Sequence, residues 1–285
     1  MDQRNVVITG ANTGIGKETA VALAAAGDRV LIACRNPQKA ADAVAEIRER
    51  AHTESVDAVS LDLADMSSIR RCAADLHERL DHIDVLVNNA GLIMTRREET
   101  ADGFETTFGV NHLGTFLFTH EVADLVKAAA APRVINLASV GHWGAIGGLN
   151  FDDLMGSRFY NGWIAYFRSK LANILFTHEL ARRWRPDGVV VHAAHPGVVK
   201  SHFGRDGDTR GIAAMLMAIS TIGSIEPSRG SDTSVWLACS DEGGDLDRTG
   251  GYWLKRRAGR TSPWAKRDED ARRLWTVSEE LVGAG

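Results

Sequence analysis

A chain of 285 residues that is 44% apolar and 25% charged has the composition of a soluble globular protein, with length for one large domain or two small ones. A net charge of −4 excludes a broad basic footprint for nucleic acid, and three scattered cysteines exclude a disulfide framework. The first residues run straight into a strand pattern without a leader signal, and the longest nearly apolar run, 211–225, is shorter than the roughly 20 residues a membrane helix needs. A cytoplasmic chain with no membrane span is therefore expected.

Short β-rich runs alternate with longer helical stretches. Val6-Val7-Ile8 predicts a first strand, and Gly14 to Ala26 a helix stopped by Gly27. Val30 to Ala33 predicts the second strand, and Asn36-Pro37 caps a helix running to about Arg50. A strand over 56–61, a helix over 66–80, a strand over 85–87 and one helical region over 104–130 follow. Arg133 to Leu137 predicts the fifth strand, Asn161 to Trp184 a long helix and Val189 to Ala193 the sixth strand. Beyond these come an apolar helix over 212–219, a helix over 229–239 and an edge strand over 250–254. A last helix opens with Asp268, Glu269 and Asp270 and carries Leu274, Val277 and Leu281 as its apolar stripe. Apolar strands separated by helices imply a parallel sheet covered on both faces. The expectation is α/β: a doubly wound Rossmann fold with a parallel seven-stranded sheet in a single domain. Residues of about 5–199 form its core, about 200–228 a lid over the substrate, and about 229–285 its completion.

Three features carry chemistry. The first is the turn Thr9-Gly10-Ala11-Asn12-Thr13-Gly14-Ile15-Gly16, placed between a strand and a helix. Glycines there let the backbone approach a pyrophosphate, and the helix N-terminus attracts its charge. The second is the end of the second strand, Ala33-Cys34-Arg35. An acidic residue at that edge would hold the ribose of NAD. Cys34 stands there instead, followed by Arg35, which predicts contact with a 2′-phosphate and a preference for NADP(H), with NAD(H) as the alternative. Lys17 reads as a solvated face and Cys34 as a buried filler, while Asp62 is placed either at the adenine edge or as a cap for the segment from Ala64. The third is Ser139 at the end of the fifth strand, with Tyr166 and Lys170 spaced i, i+4 on one helix face. An ammonium near a phenol lowers the phenol's pKa and makes it an acid/base, while the serine holds the oxygen of a reacting carbonyl or alcohol.

Together with Asn88-Asn89-Ala90-Gly91, Asn111 and Pro196-Gly197, these motifs run in one order from residue 9 to 197. In that order the chain resembles the short-chain dehydrogenase/reductase family. Ala33-Cys34-Arg35, Val110-Asn111-His112-Leu113-Gly114, His195-Pro196-Gly197-Val198-Val199 and the tail from Leu274 to Leu281 resemble its retinol dehydrogenase-like group. The resemblance implies that Tyr166 is the acid/base, that Lys170 holds the nicotinamide ribose, that Ser139 orients the substrate and that Asn111 positions a relay water. It also implies that Asp62, Leu63, Asn89, Ala90 and Gly91 line the adenosine and ribose, and that Pro196, Gly197 and Val199 lie against the nicotinamide. Ser201 departs from the group's usual threonine. Trp143 and Trp163 predict an apolar pocket for a bulky carbonyl or alcohol. The ten histidines show no zinc spacing, so no metal is expected. His142 and His202 read as polar loop residues. A homodimer or homotetramer is open, as is a non-catalytic nucleotide sensor.

Overall fold

The computed structural model of the chain describes residues 3–197 and 226–284, so Val199, Ser201, His202 and the lid helix expected at 212–219 lie outside the described residues. Strands β1 (Asn5–Thr9), β2 (Arg29–Cys34) and β3 (Val56–Ser60) alternate with helices α1 (Gly14–Ala25), α2 (Pro37–Ala51) and α3 (Met66–Arg79). Then come β4 (Val85–Asn88), a helical rod described below, β5 (Arg133–Leu137), the long helix α7 (Gly162–Trp184) and β6 (Val190–His195). Helix α8 (Pro227–Cys239), β7 (Tyr252–Leu254), β8 (Arg257–Ala258) and α9 (Asp268–Val282) complete the fold.

The eight strands form one sheet in the order β3-β2-β1-β4-β5-β6-β7-β8. Every pairing is parallel until β7 meets β8. Side chains alternate across it: Val7, Leu31 and Leu86 face one helical layer, and Val6, Ile8, Val30, Ile32, Val85 and Val87 face the other. Helices α1, α2 and α8 cover the second face, while α3, α7 and α9 share the first. The doubly wound fold is thus the observed one, in one domain.

The strand count differs from the expected seven by one. β8 is a two-residue antiparallel extension turned by Lys255 and Arg256, whose φ values are 50° and 59°. Two positive φ angles match a type I′ hairpin turn, which usually advertises itself with Asn-Gly. Lys-Arg gives no such signal.

The single helix expected over 104–130 is broken. Short α4 (Thr106–Phe108) passes into a π-helical turn at Gly109–Gly114, then α5 (Thr115–Glu121) and α6 (Ala123–Lys127). A Cβ on Gly114 would lie 2.3 Å from the Leu63 carbonyl oxygen, and one on Gly109 would lie 2.7 Å from Thr100 Cγ2. The two glycines let the widened turn press against its neighbours, as π-bulges near functional sites commonly do. Asn111 is carried on this turn.

The C-terminal helix α9 covers α7 and α5. Its buried stripe is Ala271, Leu274, Trp275, Ser278 and Val282; of the expected Leu274, Val277 and Leu281, Leu274 is buried and the other two are half-buried. The offset follows Trp275, which needs the larger cavity: its ring meets Phe116 at 4.9 Å and Phe176 at 6.0 Å. His112 sits among these rings, fully buried, with Nε2 donating to Ser278 Oγ at 2.8 Å. Ser278 Oγ spends its own proton on the Leu274 carbonyl at 2.7 Å, which fixes the direction of that bond. Burial pushes His112 down to about 3, so it is a neutral aromatic strut between the π turn and α9.

Phe116 is 1% exposed at the centre of this cluster. Phe116→Ala is expected to cost about 3–5 kcal/mol of stability, read by chemical denaturation, because the rigid rings around it cannot collapse into the space. A loss below about 1 kcal/mol would contradict that account.

Candidate active site

The strand order reverses between β1 and β4, and a crevice opens there at the carboxyl ends. The glycine loop fills one side of it. Gly10 at φ +65° and Gly14 at φ +57° take left-handed conformations, and a Cβ on Gly14 would meet nothing within 4 Å. A Cβ on Gly16, by contrast, would fall 2.4 Å from Asn89 Nδ2 and 2.9 Å from the Gly10 carbonyl oxygen. Thr13 precedes α1 without a side-chain cap, and its first turn holds no acidic residue. The first N–H groups of α1, beside Ile15, are thereby left for an anion. Asn12 and Ile15 are partly buried and Thr13 is exposed, at the rim of the loop. A glycine cradle with an uncapped helix N-terminus fits a dinucleotide pyrophosphate.

Two ties hold the loop. Asn89 Nδ2 donates to the Thr9 and Gly10 carbonyls at 2.8 and 3.2 Å, while Thr9 Oγ1 accepts from the Asn89 and Ala90 N–H groups at 3.0 Å each. From β2, the buried Cys34 sulfur accepts from the Ala11 and Asn12 N–H groups. Burial raises this thiol to about 11, so it stays protonated and inert, a filler that also anchors the loop. Arg35 is exposed and makes no ion pair or hydrogen bond with the described residues. Lys17 is engaged by Glu46 at 2.6 Å. Asp62 takes its capping role: Oδ1 accepts from the Ala64 N–H at 3.0 Å, while Asp65 caps α3 itself. Leu63 is buried under Gly114. Gly197, at φ +88°, and Pro196 end the described chain at the edge of β6.

On the far side of the crevice stand Ser139, Tyr166, Lys170 and Asn111. Ser139 ends the approach from β5 in extended backbone, and its Oγ accepts from the Gly141 N–H at 3.1 Å, capping a 3₁₀ turn over Val140–Gly144. Asn161 caps α7 through the Trp163 and Ile164 N–H groups, which sets the helix start and hence the face that Tyr166 and Lys170 share. The Tyr166 ring and the Ser139 hydroxyl stand together, 3.2 and 3.4 Å from where a Cβ on Gly141 would lie, and the serine draws the phenol's pKa down. Lys170 Nζ donates to the Leu137 carbonyl at 3.1 Å and lies 5.8 Å from the Tyr166 ring centroid. A Cβ on Gly91 would lie 3.3 Å from both Lys170 Nζ and Asn111 Oδ1, so any larger residue there would crowd the point where the two meet.

The electrostatics depart from expectation. Burial raises the Tyr166 phenol above its ordinary value, and Ser139 offsets only part of that. The expected depression by Lys170 is not what the protein alone provides, because the ammonium points to Leu137 and not to the phenolic oxygen. Lys170 is itself lowered to about 8, by desolvation. The Asn111 side chain is committed within the protein. Oδ1 accepts from the Leu92 N–H at 2.7 Å, and Nδ2 donates to the Leu92 carbonyl at 2.8 Å and to Ser169 Oγ at 3.0 Å. Both amide protons are spent on protein oxygens, so the side chain is a strut between the loop after β4 and α7. Ser169 escaped the sequence reading. Its Oγ donates back to the Tyr166 carbonyl at 2.8 Å, and the i, i+3 spacing from Tyr166 was the available signal.

The expected pocket tryptophans flank this group. Trp163, partly buried, neighbours the Phe167 ring at 5.9 Å. Trp143 is 44% exposed on the 3₁₀ turn, between exposed Val140 at 49% and Ile146 at 80%. Among the described residues there is no cluster of metal-ligating side chains and no helix long and apolar enough to cross a membrane.

The short chain dehydrogenase family model matches residues 4–209. Human retinol dehydrogenase 13 is 43% identical over 98% of this chain and 85% of its own length. A putative uncharacterized protein from Mycobacterium paratuberculosis has the same fold at a TM-score of 0.77, with 33% identity over 99% of this chain and 94% of that one. The Pseudomonas aeruginosa RhlG/NADP active-site complex aligns at a TM-score of 0.69 and 26% identity, covering 87% of this chain and 93% of that one. The glycine cradle, the hydroxyl pair and the buried lysine thus lie in a chain that belongs to the short-chain dehydrogenase family, as an NAD(P)-dependent oxidoreductase of its retinol dehydrogenase-like group.

Proposed function

We propose that this enzyme interconverts bulky apolar carbonyl compounds and their alcohols with NADP(H), using Tyr166 as the acid/base. The observation that carries the reading is the Tyr166–Ser139 hydroxyl pair, at the open end of the sheet with buried Lys170 behind it. When bound, the nicotinamide supplies or accepts the hydride. Ser139 orients the substrate oxygen, and Tyr166 gives that oxygen its proton in reduction and takes it back in oxidation. Lys170 holds the ribose and sets positive potential near the phenol. Asn111 keeps the floor of the site rigid. Gly10 to Gly16, Asn89, Ala90, Gly91, Pro196 and Gly197 line the dinucleotide.

The cofactor preference rests on Arg35, an unengaged cation at the end of β2 where no acidic residue stands to favour a free ribose. The substrate class rests on Val140, Trp143 and Ile146, three apolar side chains held in solvent beside Ser139. The relative is named for retinol, a bulky apolar alcohol.

Purified enzyme with NADPH should turn over at least one member of a panel of apolar aldehydes and ketones. Tyr166→Phe should lower kcat by at least about 10²-fold while NADPH binding, followed by fluorescence, is kept. Near wild-type turnover in that variant would defeat the assignment.

Arg35→Ala should weaken NADPH binding about tenfold and leave NADH unchanged, a difference of about 1.4 kcal/mol. Equal effects on both dinucleotides would remove Arg35 from 2′-phosphate recognition.

Lys170 also sets a pH limit. Burial lowers it to about 8, so its charge is present below that pH and lost above it. kcat/KM for the dinucleotide, which reports the free enzyme, should therefore fall as pH rises through about 8. A profile flat to about pH 10, near the free lysine value, would show that this charge is not used.

A further inference from the structure

The turn that carries Ser139 is held from behind by a histidine. His142 is 0% exposed. Its Nδ1 donates to the Ser139 carbonyl at 2.6 Å, and its Nε2 accepts from the Ser262 N–H at 3.1 Å. A carbonyl only accepts and an N–H only donates, so the two partners dictate one neutral tautomer, with the proton on Nδ1. The Ser139 carbonyl receives the His142 main-chain N–H as well, at 3.1 Å. Two donors from one residue therefore converge on the serine whose hydroxyl is paired with Tyr166.

The ring is braced in turn. Tyr252 of β7 meets it edge-on at 5.2 Å and stacks on His195 of β6 at 6.4 Å. Ser262, on the other side, opens the 3₁₀ turn Pro263–Lys266, which packs against α7. His142 thus joins three parts of the chain that are distant in sequence: the turn after β5, strand β7 and the segment leading into α9. It also precedes Trp143, so the same ring fixes the root of the apolar lip.

We infer that His142 is a positioning residue, whose ring N–H bond to the Ser139 carbonyl, with its tautomer set by the Ser262 N–H, holds the Ser139 hydroxyl and the Trp143 lip relative to Tyr166. The inference rests on Ser139 as the substrate-orienting group. Without the ring bonds, the 3₁₀ turn keeps its own short-range hydrogen bonds and the Val140 N–H to His195 Nδ1 at 3.4 Å, but loses its hydrogen bond to Ser262. Misplacing an orienting group by about 1 Å can lower a rate on the order of 10²-fold.

The test uses the full chain with NADPH and an accepted aldehyde, and the cofactor-free protein for amide exchange. His142→Phe keeps a buried ring and deletes both bonds. His142→Asn returns an amide donor close to the Nδ1 position and leaves the Ser262 N–H unanswered. The expected result for His142→Phe is a kcat at least about tenfold lower, a Kd for NADPH within about twofold, and faster hydrogen exchange in peptides covering 138–146. His142→Asn should restore kcat to within about threefold of wild type and keep 138–146 protected, while exchange rises in 260–266. The inference is overturned by a kcat for His142→Phe within about twofold of wild type, by unchanged exchange in 138–146, or by an equal loss in His142→Asn. If His142→Phe does not fold, His142→Asn decides alone: protected 138–146 with retained kcat supports the bond to the Ser139 carbonyl, and loss of either overturns it. Ser139→Ala separates the two readings. Full activity there removes the serine from the mechanism, whereas an inactive Ser139→Ala beside an active His142→Phe removes only the His142 bond.

Discussion

Everything at the candidate site depends on the reversal of strand order between β1 and β4. A parallel sheet wound in two directions must leave a gap where its crossovers part, and the gap lies at the strand carboxyl ends. In this chain Asn89 closes the floor of that gap by donating to the Thr9 and Gly10 carbonyls. The glycine loop, the Gly91 floor and the 3₁₀ turn after β5 are all hung from strands that meet there. Shifting any one strand by a residue would exchange its two faces and move both the core and the crevice lining together.

Around this gap the protein concentrates buried polar side chains. Lys170, Asn111, Ser169, Asn173, Asn136 and Asn88 are all buried. Most of their donors reach a partner, as at Leu137, whose carbonyl serves both Lys170 and Asn173 at 3.1 Å. Buried polar groups lose their water, so a satisfied network is rigid and specific, and an unsatisfied one destabilises the fold. The aromatic cluster beneath α9 supplies apolar burial on the same face of the sheet, with neutral His112 leading from it to the turn that bears Asn111.

Most of the architecture was legible because its signals are local and periodic. Apolar strand runs, the Asn36-Pro37 cap and Gly27 mark elements through short-range chemistry. The exceptions are those without such a local signal. The π turn and the offset stripe of α9 are decided by distant contacts, Leu63 against Gly114 and Trp275 against Phe116, and the β7–β8 hairpin turns on Lys-Arg, which carries none of the usual turn residues. At the site, residue types and spacing pointed to Tyr166, Lys170, Ser139 and the glycine loop as candidates. They did not reveal Ser169, the commitment of Asn111 to Leu92, or the place of His142. Those are matters of which partner a side chain finds across 19 to 120 residues of chain.

The hairpin at the sheet's end has a consequence for how copies of this protein meet. A parallel sheet leaves an open edge whose free N–H and C=O groups invite another strand. Here β7 does not present that edge, because β8 folds back over it. β8 is only two residues long, and Lys255, Arg256 and Arg257 crowd its turn and start. A strand docking there would find almost no ladder to extend and a row of cations to bury. At the opposite edge, β3 turns Asp57 and Ser60 to solvent. A short basic hairpin and a polar outer strand therefore guard the two ends of a sheet whose middle is largely apolar, and leave it poorly suited to edge-to-edge aggregation.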